Sequence, residues 1–414
     1  MSRHALIALT VATALLAPRS GSPCTVGVFA GSSTANGRPM LWKNRDSDHP
    51  DNQVMHFAGD GFPFIGLVNG EDAEGREVWA GVNSAGFCIM NSASYNLYPD
   101  DGDDTEGGER RKDEEGVLMK LALGRCTTVE DFARLLEETA GDRGVEANFG
   151  VVDSSGGAAF FETTNTTFER FDATDRRVAP NGYILRTNFS FTGEPNQGAG
   201  EIRFDRATAL FHRAAATGGV DRDWLLLAAS RDMVNALTGE DPLARELPAH
   251  ARDARYLPVN DTLARDAATA TVLFEGVGTG EDPAGTVMWV RLGHPLCSVA
   301  LPHWLASASS MALTGGTAPP LVRFAAYWFD RVFPFSGTSR ERYMDLAPLL
   351  NRQGTGILPR LLEVEEEILR ATDRGLEDRP SDSAGLQRLQ VELEDLARAR
   401  LRALFPEAAA ASGL

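Results

Sequence analysis

Short apolar runs closed by turn residues limit what the first half of this chain can become. Cys24–Ala30 and Met40–Lys43 flank Asn36-Gly37, and Glu77–Val82 and Phe87–Asn91 flank Asn83-Ser84-Ala85-Gly86. Phe149–Val152 and Ala158–Glu162 flank Asp153-Ser154-Ser155-Gly156-Gly157. Each pair reads as a β-hairpin, because Asn and Gly tolerate the positive φ that tight reversals need. Tyr183–Thr187 is a further strand, so the pattern to about residue 210 is one of short strands. Helices interrupt it: Thr128 can cap a helix to about Thr139, with Phe132, Leu135 and Leu136 on one face. Asp221–Leu237 and Leu321–Val332 are two more, and strands return at Thr271–Phe274 and Thr286–Leu292. Hairpins and helices mixed in this order give an α+β layered architecture.

The last stretch is helical. Leu361–Arg370 and Leu386–Leu404 are separated by Pro380-Ser381-Asp382-Ser383. This pair either packs on the domain or joins two copies as a homo-oligomer. Three segments are expected: a leader over 1–23, a main domain over 24–350 and a helical extension over 351–414.

Residues 1–23 read as an export signal. Arg3 and His4 give a positive start, and Ala5–Ala17 is too short an apolar run to span a membrane, which takes ~20 residues. A periplasmic or extracellular enzyme is the expectation, with a lipid anchor at Cys24 as the rival. The formal charge of −18 becomes −20 without Arg3 and Arg19, which argues against nucleic acid and anionic membranes as partners. Four cysteines are too few for a disulfide scaffold. The acidic stretch 99–115 lacks the spacing of an EF-hand loop. No cofactor or metal is expected.

Cys24 follows the leader directly. Freed as residue one, it would carry a thiol nucleophile and an α-amine whose ordinary pKa is ~7.7–8.0 on the same carbon. With a three-residue loop Ala35-Asn36-Gly37, residue 24 pairs with residue 48 and Asp46 falls on the same face, where it can orient the amine. A two-residue loop would put Asp46 on the opposite face.

Cys24-Thr25, the hairpin and Lys43-Asn44-Arg45-Asp46 resemble the N-terminal nucleophile hydrolases of the choloylglycine hydrolase and isopenicillin N acyltransferase type. Further matches follow in order: Gly81–Phe87 with Asn91, Phe160-Phe161-Glu162, Leu185-Arg186-Thr187-Asn188 and Glu201-Ile202-Arg203-Phe204. The resemblance covers roughly residues 24–300. It implies a four-layer αββα sandwich and cleavage of a linear amide in an N-acyl amide, a penicillin or a bile-salt-like molecule. The same site could serve an acyltransferase. Residue by residue, it implies Cys24 as nucleophile, Asp46 orienting its amine, and Asn188 and Asn91 donating to the oxyanion. Losing one such donor typically costs ~2.7–4 kcal/mol of barrier. Lys43 stands where bile-salt hydrolases carry arginine, a point charge in place of a fork. Arg203, or nearby Arg206, would help keep the thiol anionic or pair with Asp46.

Other chemistries fit poorly. Val82-Asn83-Ser84-Ala85-Gly86 lacks the first glycine of a serine-hydrolase elbow. The seven histidines show no zinc spacing. No helix follows Gly276, Gly278 and Gly280, so they do not form a nucleotide loop. The remaining rival is an exported binding protein that never frees Cys24.

Overall fold

The computed structural model describes residues 24–97, 113–307, 311–335, 343–377 and 382–414. The leader, the acidic stretch up to residue 112 and Pro380-Ser381 lie outside the described residues. Two antiparallel sheets face each other. The first has six strands in the order β10 (Tyr183–Arg186), β1 (Cys24–Phe29), β2 (Met40–Asp46), β12 (Ala268–Glu275), β13 (Val287–Leu292) and β14 (Ala300–His303). The second is a seven-strand meander: β3 (Asn52–Phe57), β4 (Phe64–Asn69), β5 (Ala80–Asn83), β6 (Cys88–Ala93), β7 (Ala147–Val152), β8 (Ala158–Thr163) and β9 (Phe168–Asp172). β11 (Tyr256–Pro258) and β15 (Tyr343–Asp345) form a small separate ribbon.

Strand alternation sorts the side chains into layers. Cys88, Met90, Ala158 and Phe160 join Val26 and Val28 in the core between the sheets. Their neighbours Phe87, Ile89, Ala159 and Phe161 turn outward beneath α1 (Glu115–Arg125) and α2 (Val129–Glu138). Phe132 of α2 packs among Phe87, Phe149 and Phe161. The sheets approach closely at Gly150, where a Cβ would stand 2.8 Å from both Val28 Cγ2 and Met90 Cε.

The outer face of the first sheet is covered by α3 (Glu201–Ala216), whose Phe211 stacks on Phe29 and leans on Trp42. The short α4 (Arg222–Leu227) follows. α5 (Pro320–Val332), α6 (Leu346–Leu349), α7 (Ile357–Glu377), α8 (Ser383–Leu404) and α9 (Pro406–Ser412) complete this layer. Leu361, Ile368, Leu389 and Leu401 of the terminal helices belong to the same hydrophobic core as the sheet. The layers therefore run α, β, β, α.

Three expectations need correction. Residues 201–216 are helix, inside the stretch read as strands. The helix expected over Asp221–Leu237 stops at Leu227, after an N-cap in which Asp221 accepts from Trp224 N, and a 3₁₀ turn follows at Ala229–Arg231. Polar contacts override its apolar spacing. Arg231 reaches the Leu226, Pro295 and Ser298 carbonyls, and Asp232 pairs with Arg206. The register of the first hairpin also differs. The connection from Ala30 to Pro39 holds a 3₁₀ turn at Gly31–Ser33 and a positive φ at Gly37, so Cys24 pairs with Arg45 rather than residue 48.

Candidate active site

That register divides the motif in β2 between two faces. Cys24, Val26, Lys43 and Arg45 share the face toward the second sheet, and Thr25, Asn44 and Asp46 share the face toward the helices. Asp46 is thus placed on the backbone side of Cys24, not the thiol side. The sulfur lies 4.0 Å from the Asp46 main-chain oxygen.

On the thiol face, Lys43 is buried and its Nζ donates to Asn91 Oδ1 at 2.7 Å and to the Trp79 carbonyl at 3.0 Å. Burial pushes its ammonium down to about 8, a shift partly offset by negative charge at Cys24. With Oδ1 held by a cation, Asn91 must present its amide N–H groups elsewhere. Arg45 donates to Asn52 Oδ1 at 2.5 Å and Asn69 Oδ1 at 2.8 Å, and lies over the Trp79 ring. Burial lowers it to about 10, with negative charge at Cys24 the largest opposing influence.

On the backbone face, the Cys24 nitrogen donates to Asn188 Oδ1 at 3.0 Å. With residues preceding Cys24, it is a peptide nitrogen here and stands in for the α-amine. Arg203 Nη1 donates to the Cys24 carbonyl at 2.8 Å and Thr25 Oγ1 at 2.9 Å, and Nη2 to Asn188 Oδ1 at 2.8 Å. Two donors on one oxygen fix the Asn188 amide, whose Nδ2 donates to the Ala93 carbonyl at 3.0 Å. Asn188, expected as an oxyanion donor, accepts from the Cys24 nitrogen through Oδ1 and keeps one Nδ2 hydrogen beyond that bond to Ala93. Gly200 allows Arg203 to turn in: it takes φ +90°, and a Cβ there would stand 2.5 Å from Arg203 Nη2.

Asp46 Oδ2 lies 3.5 Å from Arg265 Nη1 and 3.9 Å from Arg203 Nη1, yet it accepts no hydrogen bond. Burial pushes this carboxyl up to about 6, against the pull of Arg265 and Arg203. Asn44, between Lys43 and Arg45, is a strut: its Nδ2 donates at 2.9 Å to the Ser230 and Leu263 carbonyls. The segment carrying Asn188 is pinned from the second sheet. Glu162 pairs with Arg186 at 2.7 Å and accepts from the Phe191 and Thr192 main-chain nitrogens.

The structure links Cys24, Asn188 and Arg203 by hydrogen bonds, sets Asp46 3.9 Å from Arg203, and joins Lys43 and Asn91 as a bonded pair on the thiol face. Arg206 is elsewhere, paired with Asp232. Two residues escaped the sequence reading. Tyr95 packs close enough that Cys24 and Asp46 both raise its phenol, after burial. Arg265 precedes β12 in an irregular segment. β12 begins at Ala268, opposite Asp46, and locating that start would have placed Arg265 at the site. Among the described residues, no cluster of three His, Cys, Asp or Glu side chains could hold a metal ion, and no helix is long and apolar enough to cross a membrane.

No protein-family model matches the chain, and no curated protein matches its sequence. Among solved structures it is similar to a mutant of the conjugated bile acid hydrolase from Clostridium perfringens. That overlay has a TM-score of 0.37 and 11% identity, over 64% of this chain and 89% of the other. Penicillin V acylase from Agrobacterium tumefaciens aligns with a TM-score of 0.35 and 13% identity, over 67% of this chain and 85% of the other. The Caenorhabditis elegans ortholog of N-acylethanolamine-hydrolyzing acid amidase gives 0.31 and 14%, over 45% and 79%. Overlays this partial assign neither substrate nor residue roles.

Proposed function

We propose that the chain is an exported cysteine N-terminal nucleophile hydrolase that cleaves a linear amide. The observation that supports this most is the treatment of the Cys24 nitrogen: it is held by Asn188, which Arg203 braces, beside a buried carboxylate with an unfilled acceptor. A structural strand end has no use for that arrangement.

In the mature chain the α-amine takes the thiol proton, and Sγ attacks the amide carbonyl carbon. The oxyanion receives an N–H from Asn91, oriented by Lys43. Collapse breaks the C–N bond, and the leaving nitrogen takes a proton from the α-ammonium. Water then attacks the thioester, giving its proton to the α-amine, and the acid leaves with the thiol restored. Asp46 Oδ2 accepts from the ammonium that the peptide nitrogen becomes. Maturation uses the same atoms. Sγ attacks the Pro23 carbonyl, the Pro23–Cys24 bond breaks as the thiol proton passes to the departing Cys24 nitrogen, and water hydrolyses the thioester to a carboxylic acid at Pro23 with the thiol restored. An acyltransferase differs only in the acceptor of the second step.

A panel of N-acyl amides and β-lactams with chromogenic leaving groups tests this reading. Hydrolysis is expected for the wild type and absent for Cys24→Ala, with a trace at most for Cys24→Ser. Undiminished turnover by Cys24→Ala refutes it.

A further inference from the structure

Arg45 stands directly across from Cys24 in the pairing of β1 with β2, and Lys43 lies two residues earlier on the same face. Side chains paired in this way have Cβ atoms ~4.5–5.5 Å apart, so the guanidinium leaves its strand beside the sulfur. It is buried, and its partners are neutral: Asn52 Oδ1, Asn69 Oδ1 and the Trp79 ring. The two amides take two of its five N–H groups. Lys43 likewise donates to an amide oxygen and a main-chain carbonyl. Burial lowers the pair only to about 10 and about 8, so both are charged at pH 7.

A buried cation bonded only to neutral groups is costly and favours an anion close by. The carboxylates of the neighbourhood do not supply it. Glu71 and Glu77 influence Arg45 without pairing with it, and Glu71 pairs with His49. Glu115 acts on Lys43, but burial pushes it up to about 8 and it is largely neutral at pH 7. Asp46 lies on the other face of β2, beside Arg203 and Arg265. For both cations the largest opposing influence is negative charge at Cys24.

Acylation removes that charge. Once Sγ has bonded the acyl carbon and the amine has left, the sulfur is a neutral thioester. Lys43 and Arg45 then flank it without the anion they faced before. Only the acyl group can bring another, because the amine half has gone. The other bonds of the tetrahedral carbon set its direction. The oxyanion turns to Asn91, which Lys43 holds, and the leaving nitrogen turns to the Cys24 nitrogen on the backbone face. The acyl chain takes the remaining direction, on the thiol face with Arg45. A carboxylate a short spacer beyond the carbonyl would meet the remaining N–H groups of the guanidinium fork.

We infer that Arg45 is a specificity-determining residue that binds a carboxylate on the acyl half, making half-amides of short dicarboxylic acids the substrate class. The inference rests on the hydrolase reading. Its test compares an N-succinyl anilide with the matching N-succinamoyl anilide, which share the leaving amine and the acyl length and differ in charge. The wild type is expected to prefer the acid through KM, less so at high salt. Charge-assisted hydrogen bonds of this kind correspond to ~10–100-fold, so Arg45→Gln should cut the acid-to-amide ratio of kcat/KM by about that factor. Arg45→Lys, which keeps the charge without the fork, should fall between. An equal loss on both substrates would overturn the inference and leave Arg45 as a brace for Asn52 and Asn69. A wild-type preference for the succinamoyl compound would overturn it too, and that comparison needs no variant to fold. Calorimetric binding of the same two molecules reads the site without turnover. Tighter binding of the acid that Arg45→Gln removes supports the inference even if neither is hydrolysed, which would sink only the hydrolase reading. Equal affinities overturn it.

Discussion

Two buried clusters of charge lie on the first sheet, and they are built on opposite plans. Around Glu365 of α7, Arg231 donates at 2.5 Å and Arg291 also donates directly, while further donors of both arginines go to the Leu226, Pro295 and Ser298 carbonyls. Around Asp46, Arg203 and Arg265 stand 3.9 and 3.5 Å off, and Oδ2 accepts nothing. One carboxylate is closed in by its partners and ties the terminal helices to the sheet. The other is flanked by two cations but receives no hydrogen bond on Oδ2, which leaves that oxygen open to a new donor. On the function proposed above, the contrast separates a polar cluster that holds the fold from one that holds a reaction.

The largest effect expected is on Cys24. Cys24→Ala should reduce amide hydrolysis to background while leaving a folded protein with a cooperative thermal transition. Next comes Asp46. Asp46→Asn should lower kcat by roughly 10²–10⁴-fold, the range for a positioned acid–base group. In the unprocessed chain, kept so by Cys24→Ala, Asp46→Asn should also stabilise the protein at neutral pH, an effect that the α-ammonium of the mature chain would offset. A carboxyl at about 6 when folded and 3.8 when unfolded binds more protons folded, so stability falls as pH rises through that window. The shift corresponds to about 3 kcal/mol. The gain in Tm from Asp46→Asn should therefore be largest above pH 6 and vanish near pH 4. A loss of stability at pH 8 would break the contrast.

Glu365→Gln should do the reverse. Removing one member of a buried ion cluster costs ~3–5 kcal/mol because uncompensated charge remains. Denaturant unfolding should show that loss, with kcat per folded molecule unchanged. The smallest effect is expected for Arg206→Gln. Its partner Asp232 lies outside the site, so activity should stay within about twofold, whereas Arg203→Gln should abolish it.

Much of the fold could be read from the residues because its signals are local. Thr128 does cap α2, in a reciprocal box with Asp131, and the apolar spacing in 361–404 does mark two helices. Gly86 takes the positive φ its turn requires. Part of the candidate cluster was also local, in Cys24-Thr25 and Lys43–Asp46. Its geometry was not. The face on which Asp46 falls depends on how a long connection settles, and a shift of register moves it across the sheet. The choice between Arg203 and Arg206 depends on which side of α3 meets β1. Asn188 could be placed near Cys24 by resemblance, but its grip on the nitrogen follows from Arg203 donating to the same oxygen. Arg265 carries no periodicity at all and becomes visible only through the pairing of β12 with β2.

Intact mass and N-terminal sequencing of the purified wild type and Cys24→Ala, run in parallel with amide hydrolysis, reach the centre of this account. The wild type should begin at Cys24 and be active, and Cys24→Ala should keep residues before position 24 and be inactive. An active wild-type protein whose first residue lies upstream of Cys24 would contradict it, because the nitrogen held by Asn188 would then still be a peptide nitrogen.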